Sequence, residues 1–237
     1  MELVTLPIVC SASAWVTMAL VVPRLPEPPP DEVDDPAAPG TQAGPQYATL
    51  ATPGLQVAAA ALGAGSGLLA ASQPLPLAGM LAVLGGPTAA LVLVDLRTTW
   101  LPRTLSHACA ALMLAGGAAA VAASSLGTGQ PGPGDPAGLA MRIVLGAVAS
   151  AAFFWLVWRL GAGLGFGDVR LAPLLGAVTA ADGWTAWTTG MLLGTALGAV
   201  WGLATAAWRR RHPNQLGSIF PYGPALWLGA WLAILLV

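Results

Sequence analysis

The chain has 237 residues, 56% of them hydrophobic and only 8% charged, against roughly 25% charged in a soluble domain, so lipid and not water must solvate most of its surface. A net charge of −1 leaves no basic footprint for a nucleic-acid partner. The two cysteines, Cys10 and Cys109, lie in apolar runs with no CxxC pair and no Cys/His cluster, which argues against structural zinc, a disulfide framework and any metal or cofactor.

A bilayer crossing takes about 20 mostly apolar residues, and eight stretches are candidates: 3–22, 55–71, 75–94, 104–124, 137–160, 169–181, 184–208 and 221–237. They predict an all-α, polytopic membrane protein with about eight transmembrane helices. The first, residues 1–22 with its flank, carries Ala12-Ser13-Ala14 in the manner of a signal cleavage site. Its leading flank holds Glu2 and no basic residue, however, so it reads as a retained helix. Arg24 follows, which places the N-terminus outside and the next segment in the cytosol.

Residues 23–53 contain a Pro-rich stretch with Glu27, Asp31, Glu32, Asp34 and Asp35 and few large apolar residues, and are expected to form a disordered cytosolic linker. Residues 54–237 form the membrane domain. The span at 169–181 is short, reaching about 20 Å at 1.5 Å per residue. It is expected to begin or end in a protein-lined recess or a thinned bilayer. Residues 130–136, with Gly132, Pro133, Gly134 and Asp135, read as an external loop. Threaded from an outside N-terminus, Arg24, Arg97, Arg103, Arg159, Arg170, Arg209, Arg210 and Arg211 fall at cytosolic ends and Arg142 outside, in keeping with the charge bias of membrane proteins. Trp155, Trp158, Trp184, Trp187 and Trp208 cluster toward span ends and read as interfacial belts.

Of the ten carboxylates, five lie in the linker, Glu2 is near the start, and Asp135 and Asp182 fall in external loops or at helix ends. Asp95 and Asp168 remain, 73 residues apart, each at a span margin in apolar sequence where an ionised carboxylate is costly. Taken singly, Asp95 reads as a solvated helix end beside Arg97, and Asp168, after the glycines of Gly163-Leu164-Gly165-Phe166-Gly167, as a helix N-cap. Both fall on the same side of the membrane. If packing joins them, repulsion and desolvation leave one protonated and one ionised near neutral pH, which is the arrangement that peptide hydrolysis by a carboxyl pair requires. His107 and His212 have no visible Ser or Cys partner and read as structural or interfacial.

Three stretches in order resemble the prepilin peptidase (type IV leader peptidase) family of GxGD aspartyl proteases. They are Asp95 followed by Leu101-Pro102, then Gly165-Phe166-Gly167-Asp168-Val169-Arg170-Leu171, then Phe220-Pro221-Tyr222-Gly223-Pro224-Ala225-Leu226. The resemblance implies a membrane aspartyl endopeptidase in which Asp95 and Asp168 are the catalytic dyad and Gly165, Phe166 and Gly167 shape the loop carrying the second acid. Leu101, Pro102, Arg170, Pro221, Gly223 and Pro224 would support them. It also implies a prepilin or pseudopilin precursor as substrate, with a basic leader cut at the cytosolic face of the bacterial inner membrane.

The chain departs from the family pattern in three places. Arg103 stands where an acid often follows the Leu-Pro, Arg170 stands where a lysine is common, and the paired cysteines of the methyltransferase region are missing between the first two spans, so no N-methylation is expected. Two other readings stay open. The first is a signal-peptide-peptidase-like protease, whose Pro-Ala-Leu triplet Pro224-Ala225-Leu226 matches, although Val94 precedes Asp95 where that group has tyrosine. The second is a non-catalytic transporter or assembly component that uses its aspartates as proton relays.

Overall fold

The computed structural model describes residues 2–27, 45–126, 135–161, 164–211 and 220–237. Nine α-helices make up the fold of these residues, with no strand among them: α1 Glu2–Val16, α2 Pro53–Ala70, α3 Ala78–Gly85, α4 Pro87–Thr98, α5 Arg103–Ser125, α6 Pro136–Arg159, α7 Phe166–Asp182, α8 Trp184–Arg211 and α9 Gly223–Leu236. Six helical stretches are long and apolar enough to cross a membrane: Val4–Arg24, Pro53–Ala70, Leu75–Thr98, Arg103–Ser125, Pro136–Arg159 and Trp184–Trp208. Gly223–Leu236 is a shorter apolar helix. Exposed Val144, Val148, Leu192, Leu203 and Trp208 give the outer helices an apolar outer face, the surface that hydrocarbon requires. The protein is an all-α polytopic membrane protein.

Three antiparallel helix pairs carry the closest packing: α1 with α2, α6 with α7, and α8 with α9. In each pair a glycine removes the side chain at the point of closest approach, the usual way for helices to pack without a hydrophobic driving force between them. A Cβ on Gly63 of α2 would lie 2.5 Å from the Cys10 carbonyl oxygen of α1, and one on Gly146 of α6 would lie 2.6 Å from the Gly176 carbonyl oxygen of α7. Gly229 of α9 meets the backbone of Gly194 on α8 in the same way.

At the centre lie the third span and α7. Their side chains are buried on nearly all sides, and their sequences accordingly lack an amphipathic stripe. The third span is not one rod. Gly85-Gly86-Pro87 breaks it into α3 and α4, because Pro87 has no N–H to continue the ladder and Gly86 adopts φ −96°, ψ −100° against Ser13 of α1. The break was not expected from the apolar run, although the Gly-Gly-Pro triplet marks it. The span also runs one turn further than the apolar run, to Thr98, so Asp95 lies inside a helix and not at its tip.

The ends of the stretch expected to be disordered are ordered where they are described. Val22–Arg24 forms a 3-10 turn that continues α1, and Tyr47–Leu50 forms another. The Tyr47 ring is buried against the core, which supplies the apolar contact that the intervening Pro-rich sequence lacks. Residues 28–44, the body of the expected linker, lie outside the described residues, as do 127–134 of the expected external loop and His212. Asp135 caps α6, accepting from the Ala137 and Gly138 N–H groups at 3.1 and 2.9 Å.

Candidate active site

Asp95 is 3% exposed and Asp168 5% exposed. Each is on one of the two central elements, and a Cβ on Gly223 would meet both Asp95 Oδ2 and Leu171 Cδ2, three residues beyond Asp168. This burial puts both acids inside the packed interior. Their individual roles as a solvated helix end and an N-cap are corrected by it.

Asp95 turns inward while Arg97 is exposed. Its Oδ2 accepts the Gly223 N–H at 2.9 Å. Gly223 is the first residue of α9 and Pro224 occupies its first turn, so Asp95 sits where the unpaired N–H groups and positive end of a helix favour a negative charge. The turn that follows Asp95 is tightly bonded. Thr98 Oγ1 donates to the Val94 carbonyl at 2.8 Å and accepts the Trp100 N–H at 3.1 Å, and the Thr99 N–H reaches the Asp95 carbonyl at 2.7 Å. Thr99 takes φ 59°, a left-handed conformation that a β-branched residue rarely adopts.

Asp168 belongs to the first turn of α7, and Gly165, not Asp168, is the N-cap. The Asp168 N–H bonds to the Gly165 carbonyl at 3.1 Å, and its carboxylate lies over Gly165, with Oδ2 3.7 Å from where a Cβ on that glycine would be. Asp95 is therefore held by a glycine N–H at the start of another helix, while Asp168 lies over the glycine that begins its own. Asp168 Oδ1 is buried with no protein partner. A buried carboxylate oxygen without a partner is costly and therefore marks the polar side of the site.

The three sequence motifs converge on this point. A Cβ on Gly167 would lie 2.8 Å from Leu101 Cβ, so this glycine is needed to seat the Leu-Pro segment against α7. Arg170 donates to the Leu101 carbonyl at 3.3 Å and its guanidinium lies 5.4 Å from the Phe166 ring centre. Phe166 in turn meets Trp158 edge-on at 5.0 Å, which gives Trp158 a role beside the site in addition to any place in an interfacial belt. Trp187, read as a belt residue, instead bonds inward to Ser150 Oγ at 2.9 Å. A Cβ on Gly223 would lie 2.7 Å from Asp95 Oδ2 and 3.3 Å from Leu171 Cδ2. The Gly165 position is exposed, and a Cβ there would meet only Asp168 Oδ2, at 3.7 Å, and the Gly167 nitrogen, at 3.9 Å.

Pro221 and Pro224 are half-buried and flank the Tyr222-Gly223 pair. Pro102 is buried and precedes α5, with Arg103 exposed at its first position and His107 exposed one turn on. Sequence reasoning missed Tyr222, whose ring packs 6.4 Å from Phe154 and whose hydroxyl donates to the Thr195 carbonyl at 3.2 Å. Among the described residues no three of His, Cys, Asp and Glu gather where they could hold a metal ion.

The class defined by this geometry is a multi-pass membrane protein with two buried carboxyls on its two central elements, one of them held by a backbone N–H at a helix start. Over 98 residues, 39% of its length, the chain is 34% identical to a prepilin leader peptidase/N-methyltransferase of Pseudomonas putida. It is 33% identical to the protein of the same name from Aeromonas salmonicida over 98 residues and 32% identical to that of Stutzerimonas stutzeri over 94. Over this stretch the chain is thus similar to prepilin leader peptidases, the family its motifs resemble. The matched stretch spans about a third of the length of these curated relatives. No family model matches the chain, and no solved structure matches it.

Proposed function

We propose that the protein is an aspartyl endopeptidase of the cytoplasmic membrane that removes the basic leader from a type IV prepilin or pseudopilin. The observation that carries this reading is the burial of Asp95 and Asp168 where three separate motifs converge, at the helix ends that the topology puts toward the cytosol. Two adjacent carboxyls in a low-dielectric site do not both ionise, so one keeps a proton. The ionised member takes a proton from water as the water oxygen attacks the scissile carbonyl carbon. The protonated member donates its hydrogen bond to the carbonyl oxygen that becomes negative. When the C–N bond breaks, a carboxyl proton passes to the leaving amine and the pair returns to its starting state. The Gly223 N–H fixes the Asp95 carboxyl before substrate arrives, so little reorganisation accompanies the reaction.

The dyad falls near the predicted cytosolic ends of α4 and α7, which suits a bond between a polar leader and an apolar helix. No N-methylation accompanies cleavage in this proposal, because the segment between the first two spans has neither the paired cysteines nor the length for a second catalytic unit.

Co-expression with a prepilin, scored by the mobility shift of the precursor, tests the proposal. Wild type is expected to process it, and Asp95→Asn and Asp168→Asn to lower processing by on the order of a thousandfold. Because the amide oxygen introduced by Asp95→Asn can still accept the Gly223 N–H, this variant should reach the membrane in normal amount. Processing that persists in either variant removes the mechanism.

A further inference from the structure

Helix α8 carries Gly190, Gly194, Gly198 and Gly202, one every fourth residue and hence along one face. Each is filled by a different part of the segment leading into and through α9. Cβ atoms on these glycines would meet Ala233, together with Thr179 of α7, at Gly190, Leu226 at Gly194, the Tyr222 ring at Gly198 and the Phe220 ring at Gly202. The tightest side-chain seat is at Gly198, where any Cβ would overlap the Tyr222 ring. Tyr222 is then tied to the same helix by its hydroxyl, which donates to the Thr195 carbonyl at 3.2 Å. The next residue along the chain is Gly223, whose N–H holds Asp95.

We propose that the α8 glycine ladder is a positioning device. By seating the Tyr222 ring, Gly198 sets the height of α9 along α8, and so aims the Gly223 N–H at Asp95. Gly198 touches neither carboxyl and acts only through Tyr222 and Gly223. A side chain at position 198 lifts the ring off α8 and carries the N–H away from Oδ2. The inference rests on Asp95 being catalytic for its effect on rate, but its structural content does not, and the test separates the two.

Chain labelling makes the Gly223 amide directly visible. The chain has two tyrosines, and Tyr47 precedes alanine, so Tyr222-Gly223 is its one Tyr-Gly pair. Carbonyl-13C tyrosine with 15N glycine therefore lights a single peptide in a nanodisc sample. The Gly223 amide proton is expected downfield in wild type and upfield in Asp95→Ala, which removes the acceptor. In Gly198→Ala it should move to the Asp95→Ala position, while in Gly65→Ala, where an added Cβ meets nothing within 4 Å, it should stay in place. In the cleavage assay Gly198→Ala should lower kcat by roughly 10- to 100-fold, the cost of a misplacement of about 1 Å, with KM unchanged. Tyr222→Phe keeps the ring in its seat and loses only the tether, so it should retain the downfield amide with a fall in kcat of no more than about tenfold, the value of one hydrogen bond. It also serves should Gly198→Ala fail to insert. An unmoved Gly223 amide in Gly198→Ala, or a Tyr222→Phe amide already at the Asp95→Ala position, overturns the ladder. A moved amide in an enzyme whose cleavage survives Asp95→Asn leaves the ladder standing and sinks the catalytic reading instead.

Discussion

The two acids are held in opposite ways. Asp168 is placed by its own neighbourhood, since its N–H bonds to the carbonyl of Gly165, three residues earlier at the start of the helix that carries it, and its carboxylate lies over that glycine. Asp95 lies near the end of its helix and depends on an N–H from Gly223, 128 residues away. One acid is thus positioned by local chain geometry and the other by the packing of a distant helix. Damage to packing should therefore reach Asp95 first, and damage to the glycine loop should reach Asp168.

The sharpest way to break this contrast is Gly223→Ala. Its Cβ would press on Asp95 Oδ2 at 2.7 Å, and kcat in a detergent cleavage assay is expected to fall roughly 10- to 100-fold. The same change at Gly165 adds a methyl group at an exposed position and should cost no more than a few-fold. Equal losses from the two substitutions would show that both acids are held alike. Gly167→Ala forces Leu101 aside, and overpacking of that kind destabilises by about 1–3 kcal/mol, which a lowered midpoint of denaturant unfolding in mixed micelles would register. Arg170→Ala removes the bond to the Leu101 carbonyl and the contact with Phe166. A loss of about 1 kcal/mol is expected, and Arg170→Lys should recover only part of it because a point charge cannot both bond and stack. Thr99→Gly is expected to have the smallest effect. It relieves the left-handed strain beside Asp95 and should raise stability by no more than about 1 kcal/mol, read in the same unfolding assay.

What the sequence made legible follows the same divide. All eight apolar stretches correspond to helical segments, because a run of apolar residues long enough for the bilayer has few alternatives to helix. Asp95 and Asp168 stood out because acids are rare in such runs, and Gly165-Phe166-Gly167-Asp168 could be read as a local turn. The assignment of Asp168 as N-cap was off by one turn, since three glycines in six residues leave the first helical position open. The partner of Asp95 was illegible for a different reason. No local pattern tells which distant N–H will face a carboxyl, and the Gly190-Gly194-Gly198-Gly202 spacing, visible in the letters, had no meaning until Tyr222 was found against it. The break at Gly86 was hidden by its apolar surroundings, which made the third span look continuous.

The bond between Gly223 and Asp95 also has a consequence for biosynthesis. Helix α4 and its acid leave the ribosome long before position 223 is translated, and a nascent chain halted anywhere upstream holds both carboxyls without the donor that orients the first. In the proposed activity, competence for hydrolysis is thus deferred until the segment beginning at Phe220 has been threaded into the bilayer and docked. A polypeptide abandoned midway through synthesis would carry both acids into the membrane without the geometry that the proposed cleavage needs.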